Sequence, residues 1–283
     1  MLYQSITTSS WRNRSMEMSP SLSQNNPNTP TGSLAVVGIG PGSPDMLTIA
    51  AEKAIKNADI VIGNDFYINQ IPHLLTKQKV IKSQMGKEID RAKQAITLAH
   101  TSHVVMVSGG DPGVYGMAGL ILEMAERIAP DLKIDIIPGV TAASAGAALL
   151  GAPLTNDFAV ISLSDLLTPR DVIEKRIRAL CTVGIPIVLY NPKSRTRTNL
   201  FEDVIDIARE HLAGETPVGI VKDAYRPDET IIVTTLTDVM DVFDSIDMHT
   251  VVFIGGEETR MLRRYADARG MFTPRGYHRK YEF

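Results

Sequence analysis

Only one cysteine, Cys181, occurs in 283 residues, so no intrachain disulfide framework and no multi-cysteine zinc or iron–sulfur site can form. Long apolar runs are missing as well; none approaches the roughly 20 residues that span a bilayer. Charge of one sign is also scarce. With 29 basic against 32 acidic residues the net charge is -3, which gives no global field to hold a nucleic acid. An anionic ligand must therefore be met by a local basic patch. These absences point to a reducing compartment, the cytoplasm, and to a chain that neither crosses a membrane nor is secreted. What is present, 44% apolar residues at a mean hydropathy of zero, suffices for one large core or two modest ones.

Residues 1–33 differ in composition from the rest. Nineteen of these 33 positions are Ser, Thr, Asn or Pro, too polar a mixture to offset the entropy of ordering, so a disordered extension is expected. The apolar stretch of a signal peptide is missing from it.

From Leu34 onward short apolar runs alternate with helical patterns, the signature of an α/β fold with mainly parallel sheets. Strands are expected at 34–39, 60–62, 104–107, 134–137, 158–161, 185–190, 218–221, 231–234 and 251–254. Leu47, Ala50, Ala54 and Ala58 form a helical stripe between the first two. Further helices read as Glu88 to Ala99, Gly116 to Ile128, Arg170 to Leu180, Thr198 to His211 and Leu236 to Asp244. The segment Thr141 to Leu150 is small-faced all round and should pack closely on backbone or ligand. Gly151-Ala152-Pro153 after it reads as a hinge. Two consecutive α/β domains are thus expected, 34–152 and 153–269, with the ligand cleft between them and a basic tail at 270–283.

Four glycine- or proline-marked turns stand at the ends of predicted strands, where α/β folds bind ligands. The first, Gly38-Ile39-Gly40-Pro41-Gly42, fails as a dinucleotide fingerprint because Ser43 occupies the third glycine position and Pro41 and Pro44 stiffen the turn. That disfavours a nicotinamide-dependent oxidoreductase. The second, Ser108 to Tyr115, combines Gly109 and Gly110 with the carboxylate of Asp111, which suits a cationic or hydroxyl-bearing ligand, or else caps the following helix. Pro138-Gly139-Val140-Thr141 opens the alanine-rich helix, and Tyr190-Asn191-Pro192 ends a strand of the second half.

Taken in order, VVGIGPGSPDMLT, VSGGDPGVYG, IPGVTAASAGAALLGAPLTNDFAVISLSD, LYNPKSRTR and VVFIGGEETR resemble the tetrapyrrole methylase family across residues 34–260. Asn191 stands where the family's uroporphyrinogen methylases usually carry methionine, which favours the later, corrin-pathway branch. The resemblance implies methyl transfer from S-adenosyl-L-methionine to a tetrapyrrole in the cleft of a homodimer. By similarity, Gly109, Gly110, Asp111, Val114, Tyr115, Thr141, Ala142, Asn191, Ala224 and Thr250 would bind this cofactor. Gly40, Pro41 and Gly42 would lie at the substrate, with Pro41 touching both ligands. A non-enzymatic tetrapyrrole carrier would need no such cofactor pocket.

The implied acceptor carries many carboxylates, and Lys193, Arg195 and Arg197, with Lys222 and Arg226 after the next strand, supply the local positive charge. Arg275, His278, Arg279 and Lys280 form a second cluster, read as surface first and substrate lid second. Proton movement during methylation needs an acid–base group; Ser43, Asp45, Asp111 and His103 are candidates that the sequence leaves unseparated. His100 and His103 lack a third ligand nearby, so no metal is expected. Cys181 reads as a small packed residue.

Overall fold

The structure, a computed structural model, describes residues 31–194, 198–263 and 269–282. Arg195 and Arg197 lie outside the described residues, as does nearly all of the N-terminal extension.

Five strands, β1 (Ser33–Gly38), β2 (Ile60–Asn64), β3 (Lys79–Ser83), β4 (His103–Ser108) and β5 (Ile134–Ile137), form a parallel sheet in the order β3-β2-β4-β1-β5. Both faces are covered, which is why β2 and β4 read as near-continuous apolar runs. Helices α3 (Glu88–Leu98) and α4 (Ala118–Ile128) bury Ala92, Ile96 and Ile121 on one face. Helix α1 (Ile49–Asn57) and the single turn α2 (Asp65–Ile68) cover the other. The buried stripe of α1 is Ala51, Ile55 and Ala58, while Ala50 is exposed. Alanines on two faces made the 3.6-residue pattern degenerate, and Ile55 decides which face goes inward.

A second sheet has the order β10-β9-β11-β8-β7, from β7 (Ala159–Ser162), β8 (Ile187–Tyr190), β9 (Pro217–Lys222), β10 (Thr230–Thr235) and β11 (Thr250–Ile254). Only its β7–β8 pairing is parallel; the other three are antiparallel. Counting all sheets, six of the ten strand pairings among the described residues are parallel, so the parallel expectation holds for the chain but not for this sheet. Helices α6 (Arg170–Val183) and α7 (Asn199–His211) pack one face around Phe201, Ile177 and Cys181. Cys181 is buried among these side chains, and burial pushes its thiol up to about 11. It is a packing residue, as expected.

Helix α5 (Ala142–Leu150) covers the opposite face of this second sheet, joining the cluster of Val188, Val221, Val251 and Phe253. Its small side chains permit that approach: a Cβ on Gly146 would fall 2.7 Å from the Phe253 ring. The expected division after residue 152 is therefore misplaced in packing terms, because the helix before it already belongs to the second layer. The expected hinge is a strand, β6 (Gly151–Ala152), paired in parallel with β13 (Arg269–Phe272), which pairs with β12 (Arg260–Arg263). Met271 and Thr273 are buried, so the C-terminal segment is packed into the fold at least to Thr273 rather than beginning as a tail at residue 270. The helix expected at 236–244 is a 3-10 segment, Val239–Ser245, entered through reciprocal bonds between Thr235 and Asp238.

Candidate active site

The carboxyl ends of β1 to β5 converge with the ends of β8 and β9 and the entry to β11 on a cleft of about 660 Å³. This is the position at which parallel α/β sheets bind ligands, in a size range that encloses much of a cofactor-sized molecule.

Three strand ends meet at its floor. Gly40 and Gly110 exchange backbone bonds of 3.1 and 2.9 Å, and a Cβ on Gly139 would lie 2.2 Å from the Gly110 carbonyl oxygen. Asp111 fastens this junction: Oδ1 accepts from the Gly113 amide at 2.7 Å and Oδ2 from the Gly139 amide at 3.1 Å. It lines the cleft but does not cap α4, whose N-cap is Met117, and both carboxylate oxygens already accept backbone bonds. These two bonds hold the loops that face the cleft.

Two tyrosines tie the walls of the cleft together. The Tyr115 hydroxyl donates to the Val160 carbonyl at 3.1 Å, and its ring stands 5.3 Å from that of Tyr190. The Tyr190 hydroxyl accepts from the Ala143 amide at 2.8 Å and pairs with the Thr141 hydroxyl at 2.5 Å. Thr141 is thus the backbone N-cap of α5, but its side chain serves Tyr190 rather than the helix amides. Burial raises both phenols above their ordinary range, which keeps them neutral hydrogen-bonding groups.

Backbone strain concentrates here. Tyr115, Asn191, Asp223 and Tyr225 are the non-glycine residues with positive φ among the described residues, at 53, 50, 49 and 59°. Left-handed backbone at side-chain-bearing residues costs on the order of 1 kcal/mol each and clusters at functional sites. Asn191 Nδ2 donates to Ser162 Oγ at 2.9 Å, fixing its turn against β7. Ala224, between the strained Asp223 and Tyr225, and buried Thr250, bonded to Asp247, complete this wall.

Gly109, Gly110, Asp111, Val114, Tyr115, Thr141, Ala142, Asn191, Ala224, Thr250 and Pro41 are accordingly brought together in one cleft. Several others are not. Ser43 accepts from the Asp45 amide at 3.3 Å to start a short 3-10 turn, which carries both residues away from the cleft. Gly40 is spent on its bridge to Gly110, and Gly42 sits outside the lining beside Arg226. His103 lies at the opposite end of β4, bonded to Ser33 at 3.0 Å. Lys193 turns away from the cleft, donating to the Phe243 carbonyl at 3.1 Å with its ammonium 3.7 Å from that ring's centroid. Lys222 pairs with Asp247 at 2.7 Å. Of the cations named from the sequence, Arg226 is the one among the described residues that lines the cleft. In the C-terminal cluster, Arg275 bonds the 155–156 loop and Arg279 pairs with Glu258, while Lys280 stands over Tyr281. Among the described residues no group of three or more His, Cys, Asp or Glu could hold a metal ion.

Phe66, Tyr67, Met85 and His249, not among the residues expected from the sequence, also line the cleft. The first two lie in α2, the turn that starts where β2 ends, so the same strand-end rule applied to β2 would have found them. The Tyr67 ring occupies the space beside Gly109, where a Cβ would lie 2.2 Å away. Burial raises this phenol too, and its hydroxyl has no hydrogen-bond partner among the described residues.

Strand-end loops of two α/β sheets closing on one shared cleft define the class: an α/β protein whose ligand site lies at the carboxyl ends of its strands. Residues 33–240 match the family described as Tetrapyrrole (Corrin/Porphyrin) Methylases. A relative from Salmonella typhimurium, "Probable cobalt-factor III C(17)-methyltransferase", is 45% identical over 86% of this chain and 99% of its own length. A "Precorrin-3B C(17)-methyltransferase" from Sinorhizobium sp is 40% identical over 87% and 98%. The chain spans 54% of a longer relative, "Cobalamin biosynthesis protein CbiHC" of Archaeoglobus fulgidus, at 42% identity over 88% of this chain. The crystal structure of the methyltransferase CobJ superimposes with a TM-score of 0.78 at 34% identity, covering 86% of this chain and all of that one. The chain belongs to the tetrapyrrole methylase family and is a methyltransferase.

Proposed function

We propose that the chain uses S-adenosyl-L-methionine to methylate precorrin-3B at C-17, with ring contraction to precorrin-4, in cobalamin biosynthesis. The observation that carries this reading is the end-to-end similarity to relatives bearing that name and its cobalt counterpart, with the cofactor loops assembled in one cleft. The higher identity of the cobalt-factor III relative favours, as a second reading, the cobalt-containing form of the same ring. A homodimer in the cytoplasm is part of the proposal. Its support is the family resemblance.

The site fits the cofactor on its own geometry. Gly109, Gly110, Ala142 and Ala224 leave backbone within reach of a ligand, and Asp111 and Tyr190 fix the loops before it arrives. Bound there, S-adenosyl-L-methionine would supply an activated methyl group on sulfur. What the protein adds is alignment and exclusion of water, which are worth several powers of ten in rate when reacting atoms are held in line. Thr141, Val114, Tyr115, Asn191 and Thr250 form the walls of this compartment, while Pro41, Phe66 and Arg226 face the proposed ring side.

Calorimetric titration with S-adenosylhomocysteine should give a dissociation constant on the order of micromolar, about -8 kcal/mol, with NADPH giving no heat. Binding of NADPH instead would return the Gly38 to Gly42 turn to a dinucleotide role and overturn the proposal.

A further inference from the structure

After β9 the chain turns through two left-handed residues, Asp223 and Tyr225, in a tight loop closed by the Arg226 amide on the Asp223 carbonyl at 2.9 Å. This loop aims Arg226 out of the second domain and at the first. Its Nε donates to the Pro41 carbonyl at 2.7 Å, its Nη1 pairs with Asp223 at 3.0 Å, and its guanidinium carbon stands 4.9 Å from the Phe66 ring centroid. Gly42 makes room for it: a Cβ there would lie 2.6 Å from Arg226 Cγ. One planar fork thus holds a carbonyl, a carboxylate and an aromatic face, a combination that an ammonium group on a flexible stem does not reproduce. Arg226 lines the cleft, and its Nη2 has no partner among the described residues.

We infer that Arg226 is a positioning residue: it latches the Pro41 turn of the first domain to the second and so fixes the wall against which the acidic ring is oriented. This inference rests on the proposed function for the identity of the ring. The latch itself rests on the geometry alone. A residue that only attracted a ring carboxylate would need neither the bond to Pro41 nor the space left at Gly42. A latch needs both.

Hydrogen exchange of the ligand-free protein separates the two. In Arg226→Ala and Arg226→Lys, amides at 42–46 should exchange about fivefold faster or more than in the wild type. The KM for the tetrapyrrole should rise about tenfold, while S-adenosylhomocysteine affinity stays within about twofold, since Gly110 and Asp111 keep their own bonds to Gly40, Gly113 and Gly139. Unchanged exchange in both variants would overturn the latch. Faster exchange with an unchanged tetrapyrrole KM would overturn the positioning role. A wild-type protein that transfers no methyl group would overturn the proposed function and the positioning role with it, and the exchange rates would still separate a latch from none.

Discussion

Gly139→Ala is expected to remove a large share of the stability of the chain and to weaken binding of S-adenosylhomocysteine. The added carbon would sit 2.2 Å from the carbonyl oxygen of Gly110 and 2.9 Å from the carbonyl carbon of Gly38. Neither neighbour is a side chain that can swing away; both are backbone at the ends of the two central strands, β4 and β1. Relief requires those strand ends to separate, which stretches the Gly139 amide bond to Asp111 and the double bridge between Gly40 and Gly110. Overpacking of this kind costs about 3 kcal/mol or more, a large share of a typical domain's total. Urea unfolding should show it as a lowered midpoint. Gly119→Ala, in the first turn of α4, is the control, because a Cβ there meets nothing within 4 Å and the midpoint should not fall. A Gly139→Ala protein with the wild-type midpoint would mean that the three strand ends are not in contact.

Tyr190→Phe should weaken S-adenosylhomocysteine binding by about tenfold or more, equivalent to about 1.4 kcal/mol. The lost hydroxyl accepts the Ala143 amide and pairs with Thr141, the residues that flank Ala142 at the start of α5 in the cleft wall. A part-buried amide left without its acceptor costs about 1 to 3 kcal/mol, and the helix start would shift to find another. Stability should fall as well, but affinity is the informative readout. Tyr115→Phe, which loses a bond from a more exposed hydroxyl to Val160, should have the smaller effect. Equal affinity in Tyr190→Phe and wild type would show that the hydroxyl serves packing alone.

The parts of this molecule that the sequence made legible are those specified locally. Each glycine- or proline-marked turn stands at the end of its strand, so the turns at 108–115, 138–144 and 190–192 that line the cleft could be placed without any long-range knowledge. The arrangement of the second sheet was legible too but misread. The expected strands at 218–221 and 231–234 have nine residues and no helical pattern between them, a connection too short for a parallel crossover and typical of an antiparallel pair. Other features depend on partners far along the chain. Strand β6 is two residues long and exists because β13, about 120 residues later, pairs with it. Helix α5 is small on every side, so its composition could not say which sheet it covers. Lys193 and Arg226 were equivalent as cations; the ring of Phe243 claims one and the Pro41 carbonyl the other. Ser43 and Asp45 were two of four acid–base candidates that the sequence left unseparated; they form a 3-10 turn outside the cleft lining.

The central claim is methyl transfer to ring carbon, and the most direct measurement follows that methyl group. The purified protein would be incubated with S-adenosyl-L-methionine isotopically labelled in the methyl group, in parallel with precorrin-3B and with its cobalt-containing counterpart. Mass spectrometry would follow the ring, and carbon NMR would locate the label. The account predicts one labelled methyl on C-17 of a contracted ring in at least one of the two reactions, with S-adenosylhomocysteine formed in equal amount. An unlabelled ring in both reactions, or label at any other position, would contradict it.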